Sequence, residues 1–370
     1  MTETARPAPL TVIEPRDVPL GGPRSMTVRR TLPSRERSFV GAWCFVDHYG
    51  PDHVAGTGGM DVAPHPHCGL ATVSWLFRGE VEHRDSLGTH AVVRPGEVNL
   101  MTAGRGIAHS EVSRPGTDVL HGVQLWVVLP GAAAEVEPRF EHHVPEVVEP
   151  AAGVRARVFV GSLFGSTSPV TVESPLLGAE VTLDAGASVE VEVPDGLELA
   201  VLVDAGPVLV DGHPVEAARL ALVAEGSDGV SALEAPDPAS DGSPSSRSLR
   251  LAAGPSPARV ILLGGTPFGE EVVMWWNFIG RSHEEVAAAR DAWEAGSERF
   301  GTVEEYAGPV TRLPAPALPQ VRLKPRGNRA ARRDPGPEAA GSAAAPADSA
   351  AGPDAPSASG FAGAEAPACS

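Results

Sequence analysis

The hydrophobic and polar positions of this chain alternate over short stretches, a pattern typical of β-strands rather than long helices. Apolar and β-branched residues dominate four clear examples, and each lies near a Gly, Pro or Asp turn signal. We predict strands at residues 72–77, 122–128, 188–193 and 259–263. Many short strands of this kind indicate an all-β chain built as barrels or sandwiches.

One helix is predicted in the second half, from about Ser282 to Ala295. Ser282 is a candidate N-cap, and two glutamates follow in the first turn, where negative charge is favourable. Val286, Ala289 and Trp293 then recur at helical spacing. The helix is therefore expected to be short and to bury one face.

The strand–turn–strand rhythm of the first half recurs weakly in residues 201–226. The separation between the two halves is far longer than the repeat of a solenoid, so it indicates a duplicated domain.

Composition agrees with two globular β domains. The chain has 370 residues, of which 42% are hydrophobic, and it contains 41 Gly and 37 Pro, which favour turns. Its formal net charge of −18 argues against nucleic-acid binding. No apolar run reaches the ~18–20 residues of a membrane span, so we expect no membrane partner. Three cysteines are too few for a disulfide framework, which favours a reducing cytoplasm.

The charge is concentrated in the second half. Residues 131–320 contain 29 acidic and 11 basic residues, whereas residues 38–130 contain 9 and 5. Residues 321–370 begin with clustered arginines and continue with Ala, Pro, Gly, Ser and Asp. Such a stretch has too little apolar surface to offset the entropy of ordering, so we predict a disordered tail.

Histidines carry the candidate chemistry, and eight of the 12 lie between His48 and His121. His65 and His67 are two residues apart, so on a strand both rings point to one face. His109 and Glu111 have the same spacing. Either pair alone is more simply explained as polar side chains on the exposed face of a strand. Two pairs in one β domain favour a site for Fe, Mn, Ni, Cu or Zn.

Six motifs in order resemble the pirin family of the cupin superfamily. They are FVDHYGP (45–51), HPH (65–67), GEVEHRDSLG (79–88), RPGEV (94–98), MTAGRGIAHSE (101–111) and QLWV (124–127). The resemblance resumes at LLGGTP (262–267) and at the predicted helix. It implies a bicupin of two antiparallel β-barrels with a short C-terminal helix, and one divalent metal ion in the N-terminal barrel. The family's ligands fall at His65, His67, His109 and Glu111.

The motifs and the charge pattern together predict the domain organisation. We expect an N-terminal arm (1–37), a metal-binding cupin domain (38–130), a linker (131–153), a second cupin domain without metal ligands (154–320) and the disordered tail (321–370).

The resemblance implies iron binding, with Fe(II) as the expected ion and Mn, Ni, Co, Cu or Zn as alternatives. Some pirins have quercetin 2,3-dioxygenase activity, so we expect a flavonol-type aromatic substrate and O2, with Glu111 acting as base as well as ligand. Other pirins regulate transcription or metabolic enzymes, and the alternative is a non-enzymatic regulator that binds a protein partner. A sugar-isomerase cupin is less favoured. We expect a cytoplasmic monomer.

One position departs from the family pattern. Many relatives carry Glu four residues after the second ligand histidine, where this chain has Ala71. That Glu is not one of the four ligands, so metal binding is expected to survive. His83 could support the metal from outside its ligand shell or form a hydrogen bond at the rim. Cys68 follows a ligand and is expected to point away from the metal as an inert thiol.

Overall fold

The computed structural model describes residues 10–20, 26–223 and 246–328. These ranges contain a 3₁₀ turn (Gly131–Ala133) and the helix α1 (His283–Glu294). The predicted tail lies outside the described residues from position 329 onward, as do residues 1–9 and 21–25 of the predicted arm. Within the part of the chain that the structure describes, no helix has the length and apolarity needed to cross a membrane.

The strands in chain order are β1 (Leu10–Ile13), β2 (Arg16–Pro19), β3 (Thr27–Leu32), β4 (Trp43–His53), β5 (Asp61–His67), β6 (Leu70–Arg78), β7 (Val81–Asp85), β8 (His90–Val93), β9 (Val98–Thr102), β10 (Ile107–Ser113), β11 (Val119–Val128), β12 (Arg139–His143), β13 (Val148–Ala151), β14 (Val154–Val160), β15 (Ser162–Leu163), β16 (Ser166–Thr167), β17 (Leu176–Leu183), β18 (Ser188–Pro194), β19 (Glu198–Ala205), β20 (Val208–Val210), β21 (His213–Val215), β22 (Leu220–Val223), β23 (Ser246–Ala253), β24 (Ala258–Gly265), β25 (Val273–Trp275) and β26 (Phe278–Gly280). The four predicted strands are confirmed as parts of β6, β11, β18 and β24.

Each domain combines a seven-stranded sheet with a four-stranded sheet. The first domain has the orders β12-β9-β6-β11-β4-β3-β2 and β5-β10-β7-β8. The second repeats this arrangement as β1-β22-β19-β24-β17-β14-β13 and β18-β23-β20-β21. The predicted all-β fold with two cupin-type domains is confirmed, although the sheets are not closed into barrels.

Two strands connect segments that are distant in the sequence. Strand β1, in the predicted arm, pairs antiparallel with β22 of the second domain, so that Leu10 lies opposite Val223 and Ile13 opposite Leu220. Strand β12 lies in the predicted linker and pairs with β9 of the first domain. The arm and the linker therefore contribute strands to sheets, while the proposed domain boundaries stay predictions.

An apolar core extends across both domains. Trp43 and Trp75 of the first domain belong to one buried cluster with Phe159, Leu202 and Ile261 of the second. The ring centroids of Trp75 and Phe159 are 4.8 Å apart. Burial of large aromatic surfaces is the main source of stability at such an interface, so the two domains share a core rather than meeting at a polar surface.

The segment after strand β24 folds back onto the first domain. The main-chain N–H of Ile279 in β26 donates to the carbonyl of Cys68 at 3.0 Å, and that of Leu313 donates to Pro64 at 2.8 Å. Trp275 and Phe278 pack in a buried cluster with Cys68. This segment therefore covers the end of β5, which carries the predicted histidine ligands.

The predicted helix is confirmed. It runs from His283 to Glu294, and the Ser282 side chain accepts a hydrogen bond from the N–H of Glu285 at 3.2 Å. The buried residues of the helix are Val286, Ala289 and Trp293, which are the three that its periodicity indicated.

Candidate metal centre

Strand β5 aims two imidazoles into the first domain. It is the edge strand of its four-stranded sheet, where prolines are tolerated because one row of N–H groups has no ladder partner. Pro64 and Pro66 alternate with His65 and His67 along it, so the histidines share one face and the prolines the other. The Pro-His-Pro-His sequence is therefore compatible with a strand and fixes the direction of both rings.

Strand β10 supplies the facing residues. His109 lies directly opposite His65 in the antiparallel pairing of β10 with β5. The register then shifts at a bulge, and Glu111 lies opposite Val62. On its other side β10 pairs with β7, which places His109 opposite Asp85. The two candidate pairs that the sequence predicted, His65 with His67 and His109 with Glu111, thus come from neighbouring strands of one sheet.

Three imidazole rings surround one point in the interior. Ring centroids are 5.0 Å apart for His65 and His67, 4.3 Å for His65 and His109, and 4.9 Å for His67 and His109. One nitrogen of each ring lies within 4.8 Å of the other two. The three side chains are at most 1% exposed. Such convergence of buried nitrogen donors suits a transition-metal ion.

One nitrogen of each ring has no hydrogen-bond partner among the described residues. These atoms are Nε2 of His65, Nδ1 of His67 and Nε2 of His109. Leaving a buried polar atom unpaired costs free energy, so three such atoms at one place call for a ligand. The residues present therefore fit a bound metal ion.

The other nitrogen of each ring is held. The Nδ1 of His65 lies 2.9 Å from the carbonyl of Ala63, and the His67 ring bonds to the backbone of Asn277. The Nδ1 of His109 lies 3.4 Å from Nδ1 of His83. Holding the second nitrogen orients each ring and keeps the lone pair of the first available to a metal.

Burial sets the protonation of the rings. It lowers the pKa of His65 to about 4 and lowers the pKa of His67 and His109 well below the ordinary histidine value. At neutral pH all three rings are uncharged, which is the form that binds metal ions.

Glu111 lies beside this set. Its carboxylate lies within 4.8 Å of ring nitrogens of His83 and His109, and it is 4% exposed. The Ser74 hydroxyl donates to its Oε1 at 3.2 Å. Burial raises the pKa of Glu111. The carboxyl therefore holds a proton more readily than an exposed glutamate, unless a cation stabilises its charged form.

Apolar groups close the site. The ring of Trp126 meets His67 edge-on with centroids 5.1 Å apart. Asn277, at the turn of the β25–β26 hairpin, is fully buried, and both polar atoms of its side chain have no partner among the described residues. Asn277 is therefore a buried polar residue in the turn whose backbone bonds to the His67 ring.

Comparison with known proteins agrees with this geometry. The family model described as Pirin matches residues 25–127, and that described as Pirin C-terminal cupin domain matches residues 242–301. A Pseudomonas aeruginosa protein named "Putative quercetin 2,3-dioxygenase" is 42% identical over 306 residues, covering 82% of this chain and 89% of its own length. The chain belongs to the pirin family.

Other similar proteins cover nearly the same region. A pirin-like protein of Caulobacter vibrioides is 38% identical over 282 residues, covering 73% of this chain and 88% of its own. The crystal structure of a quercetin 2,3-dioxygenase from Acinetobacter baumannii superposes with a TM-score of 0.75 at 33% identity, covering 86% of this chain and 98% of that one. The resemblance seen in the sequence motifs is confirmed.

The remaining site residues considered from the sequence lie outside the group of three converging histidines. Ala71, at the position of the usual family glutamate, is 3% exposed and lies in the apolar core. Cys68 lies in the apolar cluster under the C-terminal segment, and burial raises its pKa to about 12. His142 and His143, which fall within the predicted linker 131–153, lie on β12, and Nδ1 of His142 is 2.6 Å from Oδ1 of Asn99.

A second histidine cluster lies between the two domains of the pirin. The Nε2 atoms of His48 and His121 lie 2.7 and 2.6 Å from the same Asp204 carboxylate oxygen, and Nε of Arg259 donates to the other oxygen at 2.7 Å. An Arg29 nitrogen lies 3.4 Å from Nδ1 of His48. Because that arginine can only donate, Nδ1 accepts and Nε2 carries the proton, which favours an ion-pair network over a metal site.

Sequence reasoning did not find the interdomain partners of His48 or the part played by Asn277, since both depend on segments that are distant in the chain. His83 and Asp85 did carry a signal. Their spacing of two residues matches that of the two predicted ligand pairs, which is the spacing of side chains on one face of a strand.

Proposed function

We propose that this pirin is a metal-dependent dioxygenase that uses O2 to open the central ring of a flavonol such as quercetin, with loss of carbon monoxide. The observation that carries the proposal is a set of three buried, uncharged imidazoles, each with one nitrogen that no described residue contacts by a hydrogen bond, beside a buried carboxylate. The names of the Pseudomonas and Acinetobacter relatives support the substrate class.

His65, His67, His109 and Glu111 would hold one divalent ion, with Fe(II) as the first candidate. Bound there, the ion supplies Lewis acidity toward a substrate hydroxyl and redox chemistry toward O2. Imidazole and carboxylate ligands also suit Mn, Ni, Co, Cu and Zn, so the experiment must compare metals.

The protein's own groups handle the proton and the substrate. Glu111 accepts the proton of the substrate hydroxyl on its carboxylate, while Ser74 holds Oε1 in place. The Asn277 side chain offers an amide to a polar group of the flavonol. Trp126 and the C-terminal segment limit the access of water, which strengthens electrostatic interactions inside the site.

The test is turnover by protein loaded separately with Fe(II), Mn(II), Co(II) or Ni(II). We expect loss of quercetin absorbance and release of carbon monoxide with at least one metal. The variant His67→Ala should lose the activity, whereas His53→Ala, which changes an exposed histidine of the same domain, should retain it. Absence of turnover with every metal in fully loaded wild-type protein would refute the assignment.

The alternative is a non-enzymatic, metal-dependent regulator. The observation that favours it is the burial of the four proposed ligands, none of which is more than 4% exposed, so that a flat substrate needs an opening to reach them. The acidic second half would then offer a surface to a basic protein partner. Metal-dependent capture of one partner by wild type but not by His65→Ala, without flavonol turnover, would support this function instead.

A further inference from the structure

We infer that His83 and Asp85 form a positioning pair that orients the His109 ring for metal binding. The inference rests on the proposed metal site, although it does not depend on which reaction the site performs. Neither residue is among the four proposed ligands. The two act through His109, by deciding which of its nitrogens carries the proton.

The hydrogen bonds form a chain that ends at the metal site. Nε2 of His83 lies 3.2 Å from Oδ2 of Asp85, and Nδ1 of His83 lies 3.4 Å from Nδ1 of His109. An ionised carboxylate only accepts, so Nε2 of His83 donates to Asp85, and Nδ1 of His83 is the ring atom left to accept. Nδ1 of His109 then donates to His83. This leaves the lone pair on Nε2 of His109, the atom that has no partner among the described residues.

The pair is fixed from both sides. Oδ1 of Asp85 accepts hydrogen bonds from the N–H groups of Leu87 at 2.9 Å and Thr89 at 3.0 Å, in the turn between β7 and β8. The ring of Phe140 from β12 stacks on His83 with centroids 4.7 Å apart. His83 is 3% exposed and Asp85 2% exposed. Neither side chain is free to turn toward solvent. The fixed position of His83 therefore determines how the His109 ring is oriented.

This arrangement distinguishes His109 from the other two rings. His65 and His67 are held by backbone groups of Ala63 and Asn277, which substitution of a side chain does not remove. Nδ1 of His109 is held by the side chain of His83, and His83 is held by the side chain of Asp85. The orientation of His109 is therefore the one that mutagenesis can test directly.

A competing role for His83 is direct ligation, because it lies within 4.8 Å of His109 and Glu111 ligand atoms. In that case its Nδ1 would face the metal rather than accept from His109. The two roles predict different stoichiometry. Loss of a positioning group weakens metal binding on the order of 10–100-fold but leaves one metal ion per chain. Loss of a ligand also lowers the number of metal ions bound per chain.

The experiment uses the full chain with Co(II) as the probe. We would compare His83→Phe, which keeps a ring against Phe140 but removes both nitrogens, with His90→Phe on the paired strand β8, where the histidine is half exposed. The readouts are Co(II) affinity by chelator competition, metal stoichiometry, and the exchangeable imidazole N–H signals shifted by Co(II) in proton NMR spectra.

We expect His83→Phe to bind one Co(II) per chain about 10–100-fold more weakly and to lose the protected N–H signal of His109. Asp85→Asn should weaken binding less, His83→Gln should restore part of the affinity through its amide oxygen, and His90→Phe should match wild type. If His83→Phe does not fold, Asp85→Asn and His83→Gln decide the question.

Unchanged affinity and an unchanged N–H signal in folded His83 and Asp85 variants would overturn the inference. If His83→Phe bound as few Co(II) ions per chain as His109→Ala, His83 would be a ligand, and the inference would also be overturned. If wild type binds no Co(II), both this inference and the metal site fail. If wild type binds Co(II) but no metal supports flavonol turnover, only the proposed activity fails.

Discussion

At the scale of single residues, the candidate site depends on which atom of each side chain is already engaged. Each of the three imidazoles has one nitrogen bonded to a neighbour and one that has no partner within the described part of the chain. The thiol of Cys68, the residue next to His67, is not a candidate metal ligand. Cys68 points into the apolar cluster under the C-terminal segment, and burial raises its pKa to about 12.

We therefore predict that Cys68 is inert in the native protein. With Cys369→Ser, the remaining thiols are Cys44 and Cys68, both buried, and burial raises the pKa of Cys44 as well. Because the thiolate is the reactive form, reaction with an aromatic disulfide reagent at pH 8 should be roughly 10³-fold slower than in denaturant. The rate should rise as pH approaches 12. Rapid native labelling at pH 8 would contradict the placement of Cys68.

At the scale of elements, the N-terminal strand β1 belongs to a sheet of the second domain. Strand β1 precedes the whole first domain in the sequence, yet it pairs with β22 and covers an edge of the second domain's larger sheet. Ile13 at its end is 2% exposed and belongs to the apolar core that the domains share. The N-terminal strand is thus part of the structural core.

We predict that Ile13→Ala lowers the free energy of unfolding by about 2–5 kcal/mol, through lost burial and the cavity that remains. The matched control is Thr11→Ala on the same strand, where the side chain is exposed and the change should stay within about 0.5 kcal/mol. Urea unfolding followed by tryptophan fluorescence measures both. Equal effects for the two variants would mean that β1 does not contribute its buried side chain to the core.

At the scale of the whole molecule, one buried ionic network joins the domains. The carboxylate of Asp204 in the second domain accepts hydrogen bonds from His48 and His121 of the first domain and from Arg259. Burial acts to raise the pKa of Asp204, but hydrogen bonds from the two histidines and the charge of Arg259 outweigh it and hold the pKa below its usual range. Burial lowers the pKa of His48 below the ordinary histidine value, although the contact with Asp204 acts to raise it.

We predict that Asp204→Asn destabilises the protein by about 3 kcal/mol at pH 7, because Arg259 loses its buried partner. Because the pKa of Asp204 is lower in the folded than in the unfolded protein, its ionised carboxylate stabilises the fold above about pH 3.9. This stabilisation is lost as the pH falls from there through the folded pKa. The difference between wild type and variant should therefore shrink in acid. Urea unfolding at pH 7 and below pH 4 measures this effect.

The matched control is Asp184→Asn, whose carboxylate is 55% exposed and pairs with Arg155 on the surface. Exposed ion pairs contribute about 0–1 kcal/mol, so this variant should unfold nearly as wild type does. If the two asparagine variants behaved alike, the interdomain network would contribute nothing to stability.

The sequence alone determined the features that depend on local spacing. Alternation of period two predicts strands such as β6 and β11, and a capped amphipathic pattern predicts α1. The same period places His65 with His67, and His109 with Glu111, each pair on one face of a strand. These predictions succeed because the geometry of a strand or a helix turn is nearly independent of the rest of the chain.

Tertiary structure decided which of those faces meet. Register places His109 opposite both His65 and Asp85. It places Glu111 opposite His83 of β7 and, after a bulge, opposite Val62 of β5. Asn277 reaches His67 from a hairpin more than two hundred residues away, and Asp204 reaches His48 from the other domain. Such contacts depend on long-range pairing and on burial, which no local pattern encodes, so only the folded chain shows what holds each ring.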